Sequence, residues 1–217
     1  MRTLVCLPTR NEKESVQEMI DKVRALRLDL IVVDEHSQDG TLDIVKRNNV
    51  SAYQRDGSGK GWGVRKALEV AAKLNYDFIV LIDCDCSYPV EAIADLLKFA
   101  QEFDMVVGSR DMRAIQFSHR LVNLFHTFCV NLLFGSRLSD INSGLRALRV
   151  NKFNGLLDAA GFDIEAEITV RALKGKFKIR ELPVRYHKRV GKSKIRYWDT
   201  FRIFKKIAAE RFCSRKH

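Results

Sequence analysis

The sequence lacks an apolar stretch long enough to span a membrane. Its longest weakly charged apolar run, Leu121–Phe134, has 14 residues, including two Asn and a His, whereas a spanning helix needs about 20 residues. The N-terminal run Met1–Pro8 is short and lacks a small-residue cleavage site, so we do not expect a signal peptide. If the protein works at a membrane, we expect it to be cytoplasmic and peripheral on the cytoplasmic face.

Proline and cysteine are also scarce, with 3 and 5 residues among 217. The few prolines and the 46% of hydrophobic residues exclude a disordered chain and indicate a folded core. The odd number and irregular spacing of the cysteines give neither a disulfide framework nor a zinc pattern. We therefore interpret them, including the neighbours Cys84 and Cys86, as free thiols in a reducing cytosol.

Acidic residues are rare in the last quarter of the chain. The segment Arg171–His217 has 17 Lys and Arg against 3 Asp and Glu, while the other 170 residues have 21 bases and 24 acids. The net charge of +11 is therefore a property of this segment. Such a basic block favours polyanionic partners, which could be lipid headgroups, phosphorylated substrates or nucleic acid.

Strand-like and helix-like segments alternate along the chain. Apolar runs predict strands at Thr3–Pro8, Leu30–Val33, Val50–Tyr53, Phe78–Ile82, Met105–Val107, Leu145–Arg149 and Lys178–Val184. Helical spacing predicts helices at Glu12–Leu28, Thr41–Arg47, Lys60–Leu74, from Pro89 onwards, and at His119–Phe134, Ile164–Leu173 and Asp199–Phe212. This pattern predicts an α/β domain over residues 1–195, with a mostly parallel sheet flanked by helices, and a basic C-terminal helix within residues 196–217.

Two carboxylates follow the buried strand at Phe78–Ile82. Asp83 and Asp85 flank a single residue at its carboxyl end, which is where ligands bind in open parallel sheets. Both can reach one divalent cation, and hard oxygen ligands suit Mg²⁺ or Mn²⁺. The alternative is a solvated turn in which an aspartate caps the next helix.

Asp34 follows the second strand and also allows two interpretations. It could contact the ribose or base of a nucleotide, or it could belong to the turn around Ser37 and Asp39, which are suited to cap a helix. The glycine-rich segment Gly57–Gly61 departs from a phosphate-binding P-loop, because Gly61 stands where that motif has Ser or Thr. It remains a loop that can approach a phosphate or a sugar.

Four arginines stand in separate predicted loops, and arginines in such loops are usually solvated: Arg110, Arg120, Arg146 and Arg189. Arg110 directly follows a strand and Gly108, so it is the best candidate among them for a phosphate ligand. The segment Arg189–Lys194 packs three cations and a glycine together, a composition suited to a lid over phosphates.

Six motifs, in order along the chain, resemble family 2 glycosyltransferases of the GT-A fold. Those that carry the family resemblance are Leu7–Glu12, Val32–Thr41 and Asp83–Asp85. Those that resemble the dolichyl-phosphate mannose synthase-like branch are Val107–Arg110, Asp140–Arg146 and Arg189–Lys194. The resemblance covers Leu4 to about Ile195, and it implies a Rossmann-like sheet and a nucleotide-sugar donor.

The resemblance also assigns residues. It implies a nucleoside pocket lined by Pro8, Arg10, Glu12, Val32 and Asp34. It implies binding of Mg²⁺ or Mn²⁺ and of the diphosphate by Asp83 and Asp85, with backbone contacts from Cys84. Ser87 stands where some members have a metal-binding Gln, and is a further candidate ligand. Phosphate contacts would come from Arg110, Arg189 and Lys194, which with Asp85 form the expected catalytic set, and Arg120 would contact the acceptor phosphate.

The expected activity is the inverting transfer of a hexose to a polyprenyl or dolichyl phosphate. GDP-mannose is the expected donor, and UDP-glucose the alternative. A phosphate acceptor is already ionised at neutral pH, so no general base is required. Three further functions stay open: transfer to a hydroxyl acceptor, sugar-nucleotide binding without turnover, and nucleic-acid binding by a basic module without catalysis. The last lacks a recognised motif, so no nucleic acid partner is expected.

The C-terminal helix is predicted to attach the protein to a membrane surface. Phe201, Phe204, Ile207 and Ala208 recur close to one face of Asp199–Phe212, and basic residues cover much of the rest. A basic helix with an aromatic stripe suits the bilayer interface. The alternative is that the stripe packs on the protein's own core.

Overall fold

The computed structural model describes residues 1–191, residue 194 and residues 197–212. The predicted lid cation Lys192, the boundary between residues 195 and 196, and the basic pair Arg215–Lys216 lie outside the described residues. Among the described helices, none combines the length and the apolar character needed to cross a bilayer.

Seven strands form one sheet in the order β3-β2-β1-β4-β6-β5-β7. The strands are β1 (Thr3–Thr9), β2 (Asp29–Asp34), β3 (Ser51–Gln54), β4 (Phe78–Leu81), β5 (Met105–Arg110), β6 (Arg146–Arg149) and β7 (Ile179–Val184). Among these described strands, only β6 runs antiparallel to its neighbours β4 and β5, and every other pair is parallel. The predicted mostly parallel sheet is therefore confirmed.

Helices cover both faces of the sheet. They are α1 (Val16–Ala25), α2 (Thr41–Arg47), α3 (Lys60–Lys73), α4 (Ala92–Phe99), α5 (Phe117–Phe134), α6 (Val150–Phe153), α7 (Ile164–Lys174) and α8 (Tyr197–Phe212), with a single 3₁₀ turn at Met112–Ala114. The core lies in two apolar layers. One packs α3, α6 and α7 against one face of the sheet, and the other packs α1, α2 and α4 against the opposite face. Alternating strand residues such as Cys6 and Leu7 point into the two layers, as the pleat of a strand requires.

Helix boundaries differ from the prediction where the backbone turns before the regular helix. α1 begins at Val16 rather than Glu12, because Asn11 has φ 52° and a turn over residues 12–15 precedes the helix. A turn also follows Pro89, whose carbonyl accepts from Ala92 N at 3.1 Å, and α4 begins only at Ala92. The short α6 and the 3₁₀ turn were not predicted.

A third apolar cluster joins α5, α7 and α8. Ile203 and Ile207 of α8 are buried against Val130 and Val170, whereas Phe201 and Phe204 are exposed. The predicted stripe is thus divided, because Ile207 packs on the protein itself. Its aromatic residues remain open to solvent, and Ala208 is half-buried.

The carboxyl ends of β1, β2, β4, β5 and β7 lie at one edge of the sheet. The register pairs Thr9 with Asp34, and Arg110 with Val184. The loops that follow these strands therefore converge, and the polar residues predicted at strand ends collect at this edge.

Candidate active site

A cleft of about 610 Å³ opens at the carboxyl edge of the sheet. Its walls come from the loops after β1, β4 and β5, the first turn of α3, helices α5 and α8, and the segment after β7. The predicted site residues that line it are Pro8, Arg10, Glu12, Asp83, Cys84, Asp85, Arg110, Arg189 and Lys194. The structure thus brings together residues from opposite ends of the sequence.

Val32 and Asp34 do not line this cleft. Val32 is fully buried in the layer beneath α1 and α2, because its side chain points into the core rather than toward the sheet edge. Asp34 is also fully buried, and its carboxylate accepts from Thr9 Oγ1 at 2.8 Å and from Ser37 N at 2.8 Å. In this structure Asp34 stabilises the loop after β2, which was one of its two interpretations. A nucleoside contact by Asp34 stays a prediction.

Ser87 and Arg120 also lie outside the cleft lining. Ser87 is fully buried, and its backbone N donates to Asp85 Oδ1 at 3.0 Å, while its hydroxyl donates to the same oxygen at 2.5 Å. In this structure Ser87 orients Asp85, and a metal contact by Ser87 stays a prediction. Arg120, on α5, stacks over the Phe117 ring with 5.1 Å to the centroid.

Asp83 is held between a lysine and a glycine. Lys60 Nζ donates to Asp83 Oδ1 at 2.6 Å. On the other side, a Cβ at Gly144 would lie only 2.1 Å from Asp83 Oδ2, so no other residue fits at Gly144 without displacing the carboxylate. Burial would raise the pKa of Asp83, but the charge and hydrogen bond of Lys60 outweigh it and hold that pKa below its usual value. Asp83 is therefore ionised at neutral pH.

The Asp83–Asp85 pair fits a divalent cation by its chemistry. Both residues border the cleft, and Asp85 Oδ2 lies 3.2 Å from Arg189 Nη2. One oxygen of each carboxylate thus faces a cation of the chain itself. Ionised carboxylates are the hard oxygen donors that Mg²⁺ and Mn²⁺ prefer.

Lys60 and Glu165 are cleft residues that the sequence analysis did not single out. Lys60 lies between Gly59 and Gly61, and Gly61 N donates to Ala160 O at 2.9 Å. A Cβ at Gly61 would come within 2.1 Å of a backbone oxygen. This close approach places the first turn of α3 against residues 159–161 and directs Lys60 to both Asp83 and Glu165. The lysine between two glycines at a helix start was the only signal in the sequence.

Arg110 is fixed by a buried partner. Its Nε and Nη2 donate to the two carboxylate oxygens of Asp140 at 2.7 and 2.8 Å, and Asn123 donates to the same carboxylate. Burial would raise the pKa of Asp140, but the Arg110 pair holds it below its usual value. Arg110 is therefore a rigid part of the cleft wall.

Arg146 corrects the expectation of a solvated arginine. It is 1% exposed and begins β6. Its guanidinium donates to the Ser143 carbonyl at 2.9 Å, to Thr169 Oγ1 at 2.8 Å and to the Ile141 carbonyl. Arg146 thus supports the loop that carries Asp140 and Gly144, and it is not among the residues that line the cleft.

The segment after β7 closes over the carboxylates. His187 N donates to the Ser87 carbonyl, and Val190 N to the Asp85 carbonyl, both at 2.9 Å. Lys194 contacts the Glu12 carboxylate and the Arg10 carbonyl. Burial raises the pKa of Glu12 although Lys194 opposes the shift. Through these contacts, residues 187–191 and Lys194 lie across the cleft between the end of β7 and the loop after β1.

The other half of the cleft lies between α5 and α8. Its lining there includes Val122, His126 and Ile203, and it is less charged than the carboxylate half. His126 is fully buried, with Nε2 3.1 Å from the Thr200 carbonyl and Nδ1 3.3 Å from Asn142 Nδ2. Burial lowers the pKa of His126, with a smaller opposing effect from the Thr200 bond. The neutral ring therefore joins the two helices.

An acidic group away from the cleft is already neutralised. The carboxylates of Asp158, Glu167 and Glu210 lie within 4.8 Å of one another. Arg171 and Lys206 each contact all three. This cluster therefore fastens α8 to α7 and offers a cation no unpaired carboxylate pair.

The fold and the cleft define a glycosyltransferase of the GT-A type, with paired aspartates at the carboxyl edge of a mostly parallel sheet. The chain belongs to glycosyl transferase family 2, whose model matches residues 4–154.

Individual relatives agree with this membership. The chain is 28% identical to undecaprenyl-phosphate mannosyltransferase of Micrococcus luteus, over 90% of this chain and 88% of the relative. It is 27% identical to the low-salt glycan biosynthesis hexosyltransferase Agl6 of Haloferax volcanii, over 88% of this chain, but it spans only about half of that relative's length (49%).

The fold is also that of a solved enzyme. Glucosyl-3-phosphoglycerate synthase from Mycobacterium tuberculosis, in complex with Mn²⁺, uridine diphosphate and phosphoglyceric acid, superposes with a TM-score of 0.79. The comparison covers 99% of this chain and 80% of that one, at 18% identity. It establishes the shared fold.

Proposed function

We propose that this chain transfers a hexose, with inversion, from a nucleotide sugar to a polyprenyl or dolichyl phosphate. GDP-mannose is the donor we propose, with UDP-glucose as the alternative. The observation that carries the proposal is the Asp83–Asp85 pair at the cleft edge, faced by Lys60 and Arg189. Similarity to an undecaprenyl-phosphate mannosyltransferase supports the acceptor class.

Each part of the cleft has a role in this proposal. Asp83 and Asp85 would hold Mg²⁺ or Mn²⁺, which supplies charge neutralisation of the nucleotide diphosphate when bound. Pro8, Arg10 and Glu12 would form the nucleoside end, with Cys84 contributing backbone contacts. Arg189 and Lys194 would leave their carboxylate partners for phosphate oxygens, while Arg110 keeps the wall in place.

The chemistry then reduces to positioning and charge stabilisation. An oxygen of the acceptor phosphate attacks the anomeric carbon, and the bond from that carbon to the diphosphate oxygen breaks on the opposite face. The electron pair leaves with the nucleotide diphosphate, so a single displacement inverts the configuration. The acceptor oxygen carries no proton at neutral pH, so none has to be removed.

One observation favours a second acceptor class. Glu165 lies in the cleft and shares Lys60 with Asp83. A hydroxyl acceptor requires a general base, and an ionised glutamate at this position could supply it. A polyprenyl phosphate remains our proposal, and the choice of acceptor decides between the two.

An apolar face beside the cleft supports attachment to a membrane. It consists of large exposed side chains of α5 and α8: Phe117, Leu121, Leu124, Phe125, Phe128, Leu132, Trp198, Phe201, Phe204 and Phe212. The Phe125 and Phe204 rings lie 5.6 Å apart, so the two helices form one surface. Contiguous exposed apolar patches of this kind mark interaction sites.

The charges around the apolar face indicate an anionic bilayer as its partner. Arg113, Arg202, Lys205 and Arg211 are exposed near it, and Arg120 lies at its margin on α5. Aromatic rings and cations together suit the headgroup region, where each Lys or Arg contributes roughly 1 kcal/mol. The protein would lie on the cytoplasmic surface with the cleft open toward the lipid, so that Arg120 meets the acceptor phosphate at the rim.

A donor panel tests the proposed activity. The full chain is incubated with labelled GDP-mannose or UDP-glucose, a polyprenyl phosphate, and either Mn²⁺ or EDTA. We expect label in the lipid fraction with Mn²⁺ and GDP-mannose, and none with EDTA. Label from UDP-glucose alone would reassign the donor, and transfer that persists in EDTA would contradict the metal role.

A further inference from the structure

Both carboxylates of the proposed metal site are in contact with cations of the chain itself. Lys60 Nζ lies 2.6 Å from Asp83 Oδ1, and Arg189 Nη2 lies 3.2 Å from Asp85 Oδ2. Each contact is partly sheltered, since the side chains of Lys60 and Asp85 are 16% and 7% exposed and those of Asp83 and Arg189 are each 29% exposed. Sheltered ion pairs are screened less by solvent and salt than surface pairs.

The other oxygen of each aspartate, which contacts neither Lys60 nor Arg189, is already in contact with other groups of the chain. Asp85 Oδ1 accepts from the backbone N and the hydroxyl of Ser87. Asp83 Oδ2 lies against the backbone of Gly144, where a Cβ would come within 2.1 Å. A divalent ion that binds both aspartates must therefore use the oxygens that Lys60 and Arg189 contact, or lie directly beside those two cations.

Lys60 is also held in place by a second acid. Glu165, whose side chain is 10% exposed, contacts the same ammonium group. Lys60 therefore cannot leave Asp83 for solvent without leaving Glu165 unpaired in a sheltered position, which is costly. The lysine is a fixed positive charge at the carboxylate pair, unlike the surface lysine Lys73 of the same helix, which is 73% exposed.

We infer that Lys60, together with Arg189, makes divalent-metal binding depend on the nucleotide diphosphate. A free metal ion adds two positive charges directly beside Lys60 and Arg189, and like charges at short range repel. A diphosphate brings further negative charge and adds oxygen partners for Lys60 and Arg189. Lys60 is thus a positioning residue that couples two ligands, and by linkage the metal must strengthen nucleotide binding by the same factor.

This inference rests on the proposed metal role, and one set of binding measurements tests both. Mn²⁺ binding to the full chain is followed by the electron paramagnetic resonance signal of free Mn²⁺, alone and with saturating GDP or UDP. Wild type, Lys60→Met and the matched control Lys73→Met are compared. For the wild type we expect weak Mn²⁺ binding alone and at least tenfold tighter binding with nucleotide.

The Lys60→Met variant should bind Mn²⁺ alone at least tenfold more tightly than wild type, and the gain from nucleotide should shrink. Lys73→Met should match wild type in both. Thermal unfolding checks that each variant is folded. If Lys60→Met does not fold, Lys60→Gln replaces it as the neutral variant. Lys60→Arg, which keeps the charge, should keep the nucleotide dependence.

The two possible failures are distinguishable. If wild type binds Mn²⁺ with nucleotide but a folded Lys60→Met shows unchanged or weaker Mn²⁺ binding alone, the coupling role of Lys60 is refuted and the metal site stands. If wild type binds no Mn²⁺ with either nucleotide, the proposed metal role itself is refuted.

Discussion

The cations of the cleft differ in how firmly each is bound to its own chain. Arg110 makes a bidentate pair with Asp140, whose side chain is fully buried. Arg189 and Lys194 each contact a single carboxylate, and their side chains are 29% and 28% exposed. Breaking a bidentate buried pair costs more than breaking a single, partly exposed one. Arg189 and Lys194 are therefore the residues able to exchange a carboxylate for a substrate phosphate.

Asp85→Ala should reduce glycosyl transfer by at least about a hundredfold, because it removes one of the two proposed metal ligands. The measurement is the initial rate of label transfer to polyprenyl phosphate with saturating Mn²⁺. Asp95→Ala, which removes an exposed aspartate of α4, is the matched control and should keep the wild-type rate. Near-normal activity in a folded Asp85→Ala would refute the assignment.

At the scale of elements, α5 and α8 are joined through a buried neutral histidine. Asn142 Nδ2 donates to His126 Nδ1, so the proton is on Nε2, which donates to the Thr200 carbonyl. Protonation would place a second N–H against the Asn142 amide. The α5–α8 junction therefore favours the neutral ring.

This junction predicts a pH dependence of stability. The folded pKa of His126 lies below its ordinary value of about 6.5, so the unfolded chain binds protons more readily. The contribution of the neutral His126 to the free energy of unfolding is fully present above about pH 6.5 and is lost as pH falls through the folded pKa. The free energy of unfolding changes by at most about 1.4 kcal/mol per pH unit from this one group. Urea unfolding should show that the free energy of unfolding decreases from pH 8 to pH 5 for wild type, and that it decreases less for His126→Gln. Equal slopes would show that His126 does not titrate as described.

The segment that carries Arg189 and Lys194 is predicted to act during turnover. Arg189→Ala and Lys194→Ala should each lower the rate of transfer by about tenfold or more, while nucleotide affinity changes less, because we expect the segment to close fully only when both substrates are bound. Steady-state rates and nucleotide titrations on the same variants supply the comparison. Equal losses in rate and affinity would make both residues ordinary binding groups.

The sequence predicted elements better than side-chain directions. Apolar runs predicted the strands of the sheet, and the position of Asp83 and Asp85 after one of these strands predicted that they lie at its carboxyl edge. Both predictions depend only on residues that are close together in the sequence. Burial of Val32 and Arg146 could not be read locally, since it depends on which face of a strand meets a helix. Glu165 was missed because its role arises only when α7 packs beside the first turn of α3, and no spacing in the sequence records that contact.

At the scale of the molecule, charge and apolar surface are separated around one opening. Ion-paired acids and bases line the half of the cleft that contains Asp83 and Asp85. The apolar face of α5 and α8 lies beside the other half, which is between those two helices. Burial of Ile203 and Ile207 means that α8 belongs to the folded body. Truncation before α8 would therefore expose core residues, and single substitutions are the better test of membrane binding.

Full-length protein should co-sediment with anionic liposomes at low salt, and less so at high salt or with neutral lipid. Replacing two exposed rings, as in Phe128→Ser with Phe201→Ser, should reduce the bound fraction severalfold because both belong to the apolar face. Leu74→Ser is the matched control, since Leu74 is 44% exposed at the opposite edge of the sheet. Unchanged binding of the double variant would refute this surface.

The most direct test of the central claim is the choice of acceptor. Full-length protein with Mn²⁺ and its active nucleotide sugar is given a polyprenyl phosphate or the corresponding polyprenol, and labelled sugar in the lipid fraction is measured over time. We expect transfer to the phosphate and none to the alcohol, because the proposed acceptor is already ionised and requires no base. Comparable transfer to the alcohol, lost in Glu165→Gln, would contradict it and identify a hydroxyl acceptor with Glu165 as the base.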